Sequence, residues 1–205
     1  MIRFLLARLL GDEAALKRYS KTSAEVTSAL AGKTVAIVGN ARALGQTQQG
    51  ATIEAADLII RINGAPIPDP SSHGARTDWI ALSTPIPSKI VTQRAPQLCL
   101  WMTRKRRRIP WHLARFGKLH VYPAEASRAI ASQLGHRPTT GLMVIDLVRH
   151  SEALEIHLHG FDFFASQSLS GSRTAAQVPH DFGSEKAYVE ALLAADPRVT
   201  LHPMI

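Results

Sequence analysis

Along this chain, short unbroken apolar runs alternate with longer stretches whose apolar positions recur every three or four residues. A run of four to six apolar residues suits a strand buried on both faces, whereas the longer period suits a helix with one packed face. Strands are predicted at 35–38, 58–62, 78–82, 98–102, 118–122, 154–159 and 199–202, and helices at 23–31, 124–134, 140–150 and 184–195. Such alternation predicts an α/β protein: one Rossmann-like sandwich, its sheet mostly parallel, with helices on both faces. The Pro-rich stretch 65–72 and the Ser-rich stretch 165–178 read as surface loops. Ligands of such a sheet bind beyond the carboxyl ends of its strands, here in loops 39–50, 61–78 and 159–180.

The first residues, MIRFLLARLL, read as an amphipathic helix. Phe4, Leu5, Leu6, Leu9 and Leu10 are expected on one face, with Arg3 and Arg8 off it. The apolar stretch is interrupted by Arg8 and no small-residue cleavage site follows, so a secretory signal is not expected. No run reaches the roughly 18 apolar residues of a membrane span. We therefore divide the chain into an N-terminal helical segment, 1–32, and a ligand-binding domain, 33–205.

Composition changes this picture in two ways. Lys and Arg number 24 against 16 for Asp and Glu, a formal charge of +8 that favours anionic partners. Its densest run is Arg104-Lys105-Arg106-Arg107-Arg108, read as a solvated electrostatic face with too few flanking aromatic rings for specific nucleic-acid recognition. The lone cysteine, Cys99, lies in an apolar run and reads as a small buried hydrophobe in a reducing, cytoplasmic setting.

Candidate chemistry collects after the strands. Strand 35–38 runs into Gly39-Asn40, and strand 58–62 into Asn63; an asparagine can serve a phosphate oxygen or a sugar hydroxyl, and can equally close its own turn. Thr139-Thr140-Gly141 stands at the start of a helix, where a hydroxyl caps amides and the positive helix end attracts an anion. Gly160 would let a flat base lie against the backbone. His180 is a candidate general base, and Glu185 sits where a helix start stabilises a carboxylate. No HExxH and no Asp-x-Asp occurs, so a catalytic metal is not expected.

Together these pieces resemble glycosyltransferase family 29, the sialyltransferase family. Val38-Gly39-Asn40 through Ile53, Asp57 and Arg61-Ile62-Asn63 is similar to its large motif, followed by Ala65-Pro66 and Gly74-Ala75-Arg76-Thr77. Pro138-Thr139-Thr140-Gly141 through Gly160-Phe161 resembles the small motif, and His180 with Glu185 the final H-x-x-x-x-E. The resemblance implies a GT-A-like fold and metal-independent, inverting transfer of an acidic keto-sugar, sialic acid or Kdo, from its CMP donor to a glycan hydroxyl. It implies that Asn40, Asn63, Thr139, Thr140, Gly141 and Gly160 hold the donor, that His180 is the base supported by Glu185, and that no cofactor or metal is used.

The sequence also departs from the family. Ala43 replaces a second asparagine, which leaves Arg42 as a stand-in phosphate contact. An aromatic-histidine motif is missing between the small motif and His180, where Arg173 is the cation available. His159 replaces a tyrosine, and Val35 and Ser151 stand near the places of two bridging cysteines. The last change implies a bacterial-type, cytoplasmic member, with peripheral contact at an anionic inner membrane face left open. Two other readings stand beside the transferase: a degenerate member that binds a nucleotide or sugar without transfer, and an RNA-binding protein using Arg104 to Arg108.

Overall fold

The computed structural model describes residues 1–64, 66–115, 117–163, 169 and 181–204. Its helices are α1 (Ile2–Leu10), α2 (Glu13–Lys17), α3 (Ser23–Leu30), α4 (Gly50–Glu54), α5 (Pro70–His73), α6 (Ser88–Arg94), α7 (Trp111–Ala114), α8 (Ala124–Leu134), α9 (Thr140–Arg149) and α10 (Phe182–Ala195). Its strands are β1 (Thr34–Val38), β2 (Leu58–Ile62), β3 (Trp79–Leu82), β4 (Leu98–Trp101), β5 (Leu119–Val121), β6 (Glu155–His159) and β7 (Val199–Leu201). They form one sheet in the order β5-β4-β3-β2-β1-β6-β7, and every pair of neighbours is parallel. The expected sheet was mostly parallel; among the described residues it is wholly so. The chain builds outward from β1 through β2 to β5, then crosses back to place β6 on the other side of β1. That reversal makes the cleft between the ends of β1 and β6 the natural ligand site.

Alternation along each strand divides the core between the two faces. Ile37, Ile60, Ile62, Trp79, Leu100 and Leu158 pack with Val26 and Leu30 of α3, Ile130 of α8, the apolar side of α9, and Val189 and Leu192 of α10. On the opposite face, Ile80, Leu82, Cys99 and Trp101 meet Phe4, Ala7, Leu16, Ile109 and Leu113, so the N-terminal helices cover β3, β4 and β5. Ala36, Val38 and Ile59 meet Leu44 and Ile53 on the same side. Cys99 is buried, and its low-dielectric surroundings push its thiol up to about 11, so it is the inert hydrophobe expected.

Three expectations need correction. The leucine face of α1 is not its packed face: Phe4 and Ala7 are buried, whereas Leu6, Leu9 and Leu10 are exposed. A single large ring decides the matter, since Phe4 sits edge-on to Tyr19 at 5.2 Å and beside Trp111 at the same distance. The basic run is not uniformly solvated. Arg106 is buried, donates Nε to Glu13 at 2.7 Å, and also donates to the carbonyls of Thr103 and Tyr122, each at 2.7 Å. Finally, stretch 65–72 is not all loop, because Pro70 opens α5, with Asp69 accepting from the Ser71 amide at its start. The Ser-rich loop 165–178 lies, apart from Leu169, outside the described residues.

Candidate functional site

Four strand ends and one helix start converge at the crossover point. The Gly39 amide donates to the His159 carbonyl at 2.7 Å, and the Ala41 amide to the Gly160 carbonyl at 3.2 Å, so β1 and β6 stay paired beyond their last strand residues. A Cβ on Gly39 would stand 2.3 Å from the Gly160 carbonyl oxygen, and Gly160 has φ 69°, where side chains are strained. Only glycine permits this approach. It puts Asn40 and Gly160 side by side, and the Asn40 carbonyl accepts from the amide of Leu169 at 2.7 Å.

Asn63 follows β2 with φ 56°, a left-handed conformation that asparagine tolerates better than most residues. Its amide donates to the Ala81 carbonyl at 2.6 Å, and its Oδ1 accepts from the Ser83 amide at 3.1 Å. Ser83 Oγ in turn is in hydrogen-bond contact with Thr140 Oγ1. Asn63, Ser83 and Thr140 are thus one connected unit across β2, β3 and α9. Ser83 was not singled out from the sequence. Its signal was available: like Asn40 and Asn63, it is a polar residue just after a strand.

The start of α9 accounts for its own amides in an informative way. Thr139 is the cap residue, its Oγ1 accepting from the Leu142 amide at 3.1 Å. The Thr139 amide donates to Glu185 Oε1 at 2.6 Å, and its hydroxyl donates to Oε2 at 2.7 Å. The amides of Thr140 and Gly141, the next two of the helix, have no intrahelical acceptor. Gly141 is held close to Phe161, whose ring carbon a Cβ would meet at 2.8 Å. The two ends of the small motif therefore touch.

Glu185 is buried, and its burial lifts the carboxyl above the ordinary glutamate range against the two Thr139 bonds, which pull it down. In the described structure it braces the start of α9; His180 and Arg173 both lie outside the described residues. Asp181, next to His180, caps α10 by accepting from the Gly183 and Ser184 amides at 3.0 and 3.2 Å. Arg42 stands exposed at the start of a 3-10 turn, Arg42–Gln46. Two motif residues brace instead of facing the cleft. Arg61, nearly fully buried, donates Nε to the Arg76 carbonyl at 2.9 Å and to Thr77 Oγ1 at 3.1 Å, while Arg76 pairs with Asp78 at 3.1 Å.

Behind Gly160 lies a group of imidazoles that sequence reading noted only as a substitution. His159 is fully buried, stacks on His202 at 4.0 Å, and its Nδ1 is 2.7 Å from Gln49 Oε1. Burial first, then the neighbouring His202 and His157, depress its pKa from 6.5 to about 3, so it is neutral near pH 7. In the unfolded chain it protonates near 6.5, so stability is unaffected above that value and falls as pH drops from 6.5 toward 3. One such histidine contributes about 1.4 kcal/mol per pH unit, hence about 2 kcal/mol between pH 6.5 and 5. Urea unfolding at those two pH values should show this loss, and His159→Phe should shrink it. An unchanged slope in the variant would assign the acid sensitivity elsewhere. Among the described residues, no group of three His, Cys, Asp or Glu side chains is placed to hold a metal ion.

The model of glycosyltransferase family 29 (sialyltransferase) matches residues 11–111, a span that contains Asn40 and Asn63 and ends before Thr139. No curated protein matches the chain. Among solved structures, a mammalian sialyltransferase is similar at TM-score 0.60 and 16% identity, over 88% of this chain and 77% of that one. A mammalian sialyltransferase in complex with Gal-beta-1-3GalNAc-ortho-nitrophenol is similar at 0.58 and 15%, over 98% and 84%. The sialyltransferase CstII of Campylobacter jejuni, in complex with the substrate analogue CMP-3FNeuAc, is similar at 0.56 and 14%, over 82% and 81%. At these identities the structural likeness is one of fold.

Proposed function

We propose, from the match of the glycosyltransferase family 29 model to residues 11–111, that this chain is a member of that family and transfers sialic acid or the related acidic keto-sugar Kdo from a CMP donor to a glycan hydroxyl. The observation that carries the reading is the unit Asn63–Ser83–Thr140 set beside the Gly39–Gly160 apposition, at the crossover between β1 and β6. The cytosine lies against Gly160 and the ribose and phosphate against Asn40 and Asn63. The amides of Thr140 and Gly141, at the positive end of α9, hold the phosphate or the sugar carboxylate. Solved relatives bound to CMP-3FNeuAc and to a galactose-containing acceptor analogue support a donor and acceptor of these classes.

In this reading, transfer is a single displacement with inversion and without metal. The acceptor hydroxyl oxygen forms a bond to the anomeric carbon, the bond to the CMP phosphate oxygen breaks, and His180 takes the hydroxyl proton. The negative charge gathering on the departing phosphate is met by fixed amide and hydroxyl donors, with Arg42 and Arg173 as the cations assigned to the phosphate. No cofactor takes part, and a cytoplasmic place belongs to the same proposal. No helix among the described residues is long and apolar enough to cross a membrane. Ala43, in place of the family's second asparagine, favours the second reading, a donor-binding member that no longer transfers.

Calorimetric titration tests the donor class. CMP should bind, with UDP and GDP at least tenfold weaker, and a chelator should change neither binding nor transfer. Equal affinity for the three nucleotides would remove the cytidine pocket from this proposal. Tight CMP binding with no transfer from CMP-sialic acid or CMP-Kdo, to galactose-ended or lipid-A-type acceptors, would establish the degenerate reading.

A further inference from the structure

Helix α1 turns its most apolar side away from the protein. Ile2, Leu6 and Leu9, spaced as i, i+4 and i+7, share a face with Leu10, and they are 71%, 53%, 56% and 77% exposed. Phe4 and Ala7, more than a quarter-turn away, do the packing. Including Met1, five of the six large apolar side chains exposed among the described residues lie on this one short segment. A scattered surface leucine needs no explanation, whereas a stripe of this kind marks an interaction surface.

A second feature adjoins the first. From Leu10 a groove of about 510 Å³ opens past Arg104, Lys105, Arg107, Arg108 and Arg128, all of them exposed. Glu13, the acid lining it, is engaged by the buried Arg106. The two surfaces are joined through the backbone, because Arg107 Nε donates to the Leu9 carbonyl at 2.9 Å and Arg8 Nη1 to the Ile109 carbonyl at the same distance. The leucine stripe and the cations therefore form one continuous face. It lies at the carboxyl ends of β4 and β5, along the same sheet edge as the candidate donor site.

We propose that this face seats the protein on an anionic bilayer surface, with the α1 leucines at headgroup depth and the five cations on lipid phosphates. An amphipathic helix with an apolar stripe beside a basic surface is the pattern of an interfacial anchor. Charge complementarity selects this occupant over a second copy, since pairing two such faces would bring two basic clusters together. It also fits lipid better than RNA: Trp101 is fully buried and Trp111 is packed on Phe4, which leaves neither ring to stack on a base. Seating in this way would bring the donor-site edge toward acceptors anchored in the same membrane. The proposal stands independently of the transferase reading.

Vesicle flotation with the full chain tests it. Vesicles of neutral phosphatidylcholine should bind at least tenfold more weakly than vesicles carrying roughly 30% phosphatidylglycerol, and about 0.5 M salt should release the protein. Leu6→Ser with Leu9→Ser should weaken binding tenfold or more, and Leu10→Ser by a smaller factor. Arg104→Ser with Arg108→Ser should weaken it about 25-fold, or about fivefold per cation, and reduce the salt dependence. Melting temperature and far-UV circular dichroism report the fold of each variant, and neither should change. The proposal is overturned if the parent ignores anionic vesicles, or if the leucine variants bind like the parent. It is equally overturned if light scattering shows a dimer that Leu10→Ser dissociates without vesicle binding, or if a short RNA binds through the arginines while vesicles do not.

Discussion

Replacing His180 by alanine is expected to lower sugar transfer by roughly 10²–10⁴, the contribution of a positioned general base, while CMP affinity stays within a few-fold. The separation follows from the proposed division of roles. The proposed donor unit is assembled from β1, β2, β3, β6 and the start of α9, whereas His180 is assigned only the acceptor proton and precedes Asp181, the cap of α10, in sequence. Donor hydrolysis by water needs less help and should fall less. Asn63→Ala should behave in the opposite order. It removes the acceptor of the Ser83 amide and puts alanine in a left-handed backbone, so donor binding should weaken by ten- to a hundredfold together with transfer. The assay needs labelled CMP-sialic acid and CMP-Kdo, with CMP titration run on the same variants. Transfer by His180→Ala at the parent rate would place the base elsewhere.

Glu185→Ala is expected to be the most damaging change among the described site residues. Both carboxylate oxygens accept from Thr139, at 2.6 and 2.7 Å, in a buried setting where bonds to a charged group contribute about 1.5–3 kcal/mol. Truncation leaves the Thr139 amide without its Glu185 acceptor and frees the start of α9, whose next two amides are proposed to meet the donor. Unfolding free energy should fall by about 2–4 kcal/mol. The functional signature is a split: KM for the CMP donor should rise tenfold or more, with kcat reduced less, because the residue positions the donor loop and does not touch the reacting atoms. Glu185→Gln, which keeps one acceptor oxygen, should recover part of both losses. A variant with lowered kcat and unchanged KM would instead tie Glu185 to His180, the support role that the sequence resemblance implies.

The periodic pattern of the chain was sufficient for most of the architecture. All seven strands were legible within one or two residues, because a parallel sheet covered on both faces requires unbroken apolar runs bounded by polar ends. Helices α8, α9 and α10 were legible for the complementary reason, that each is long enough to repeat its period. The short helices α2 and α4 to α7 were not. A helix of four to seven residues completes at most two turns, and its place depends on local capping and on what it packs against.

The sequence alone also placed Asn40, Asn63, Thr140 and Gly160 at the ends of strands or the start of a helix, since that follows from order along the chain. Tertiary structure decided everything that needed two distant segments to meet. It made Gly39 obligatory through the Gly160 carbonyl, joined Asn63 to Thr140 through Ser83, and gave both oxygens of Glu185 to Thr139. It also withdrew Arg106 from the basic run to pair with Glu13, 93 residues away, and chose Phe4 over the leucines as the anchor of α1. Periodicity says which side chains share a face. Which face is covered depends on the shape of the partner, and here a groove for one aromatic ring outweighed a longer stripe of leucines.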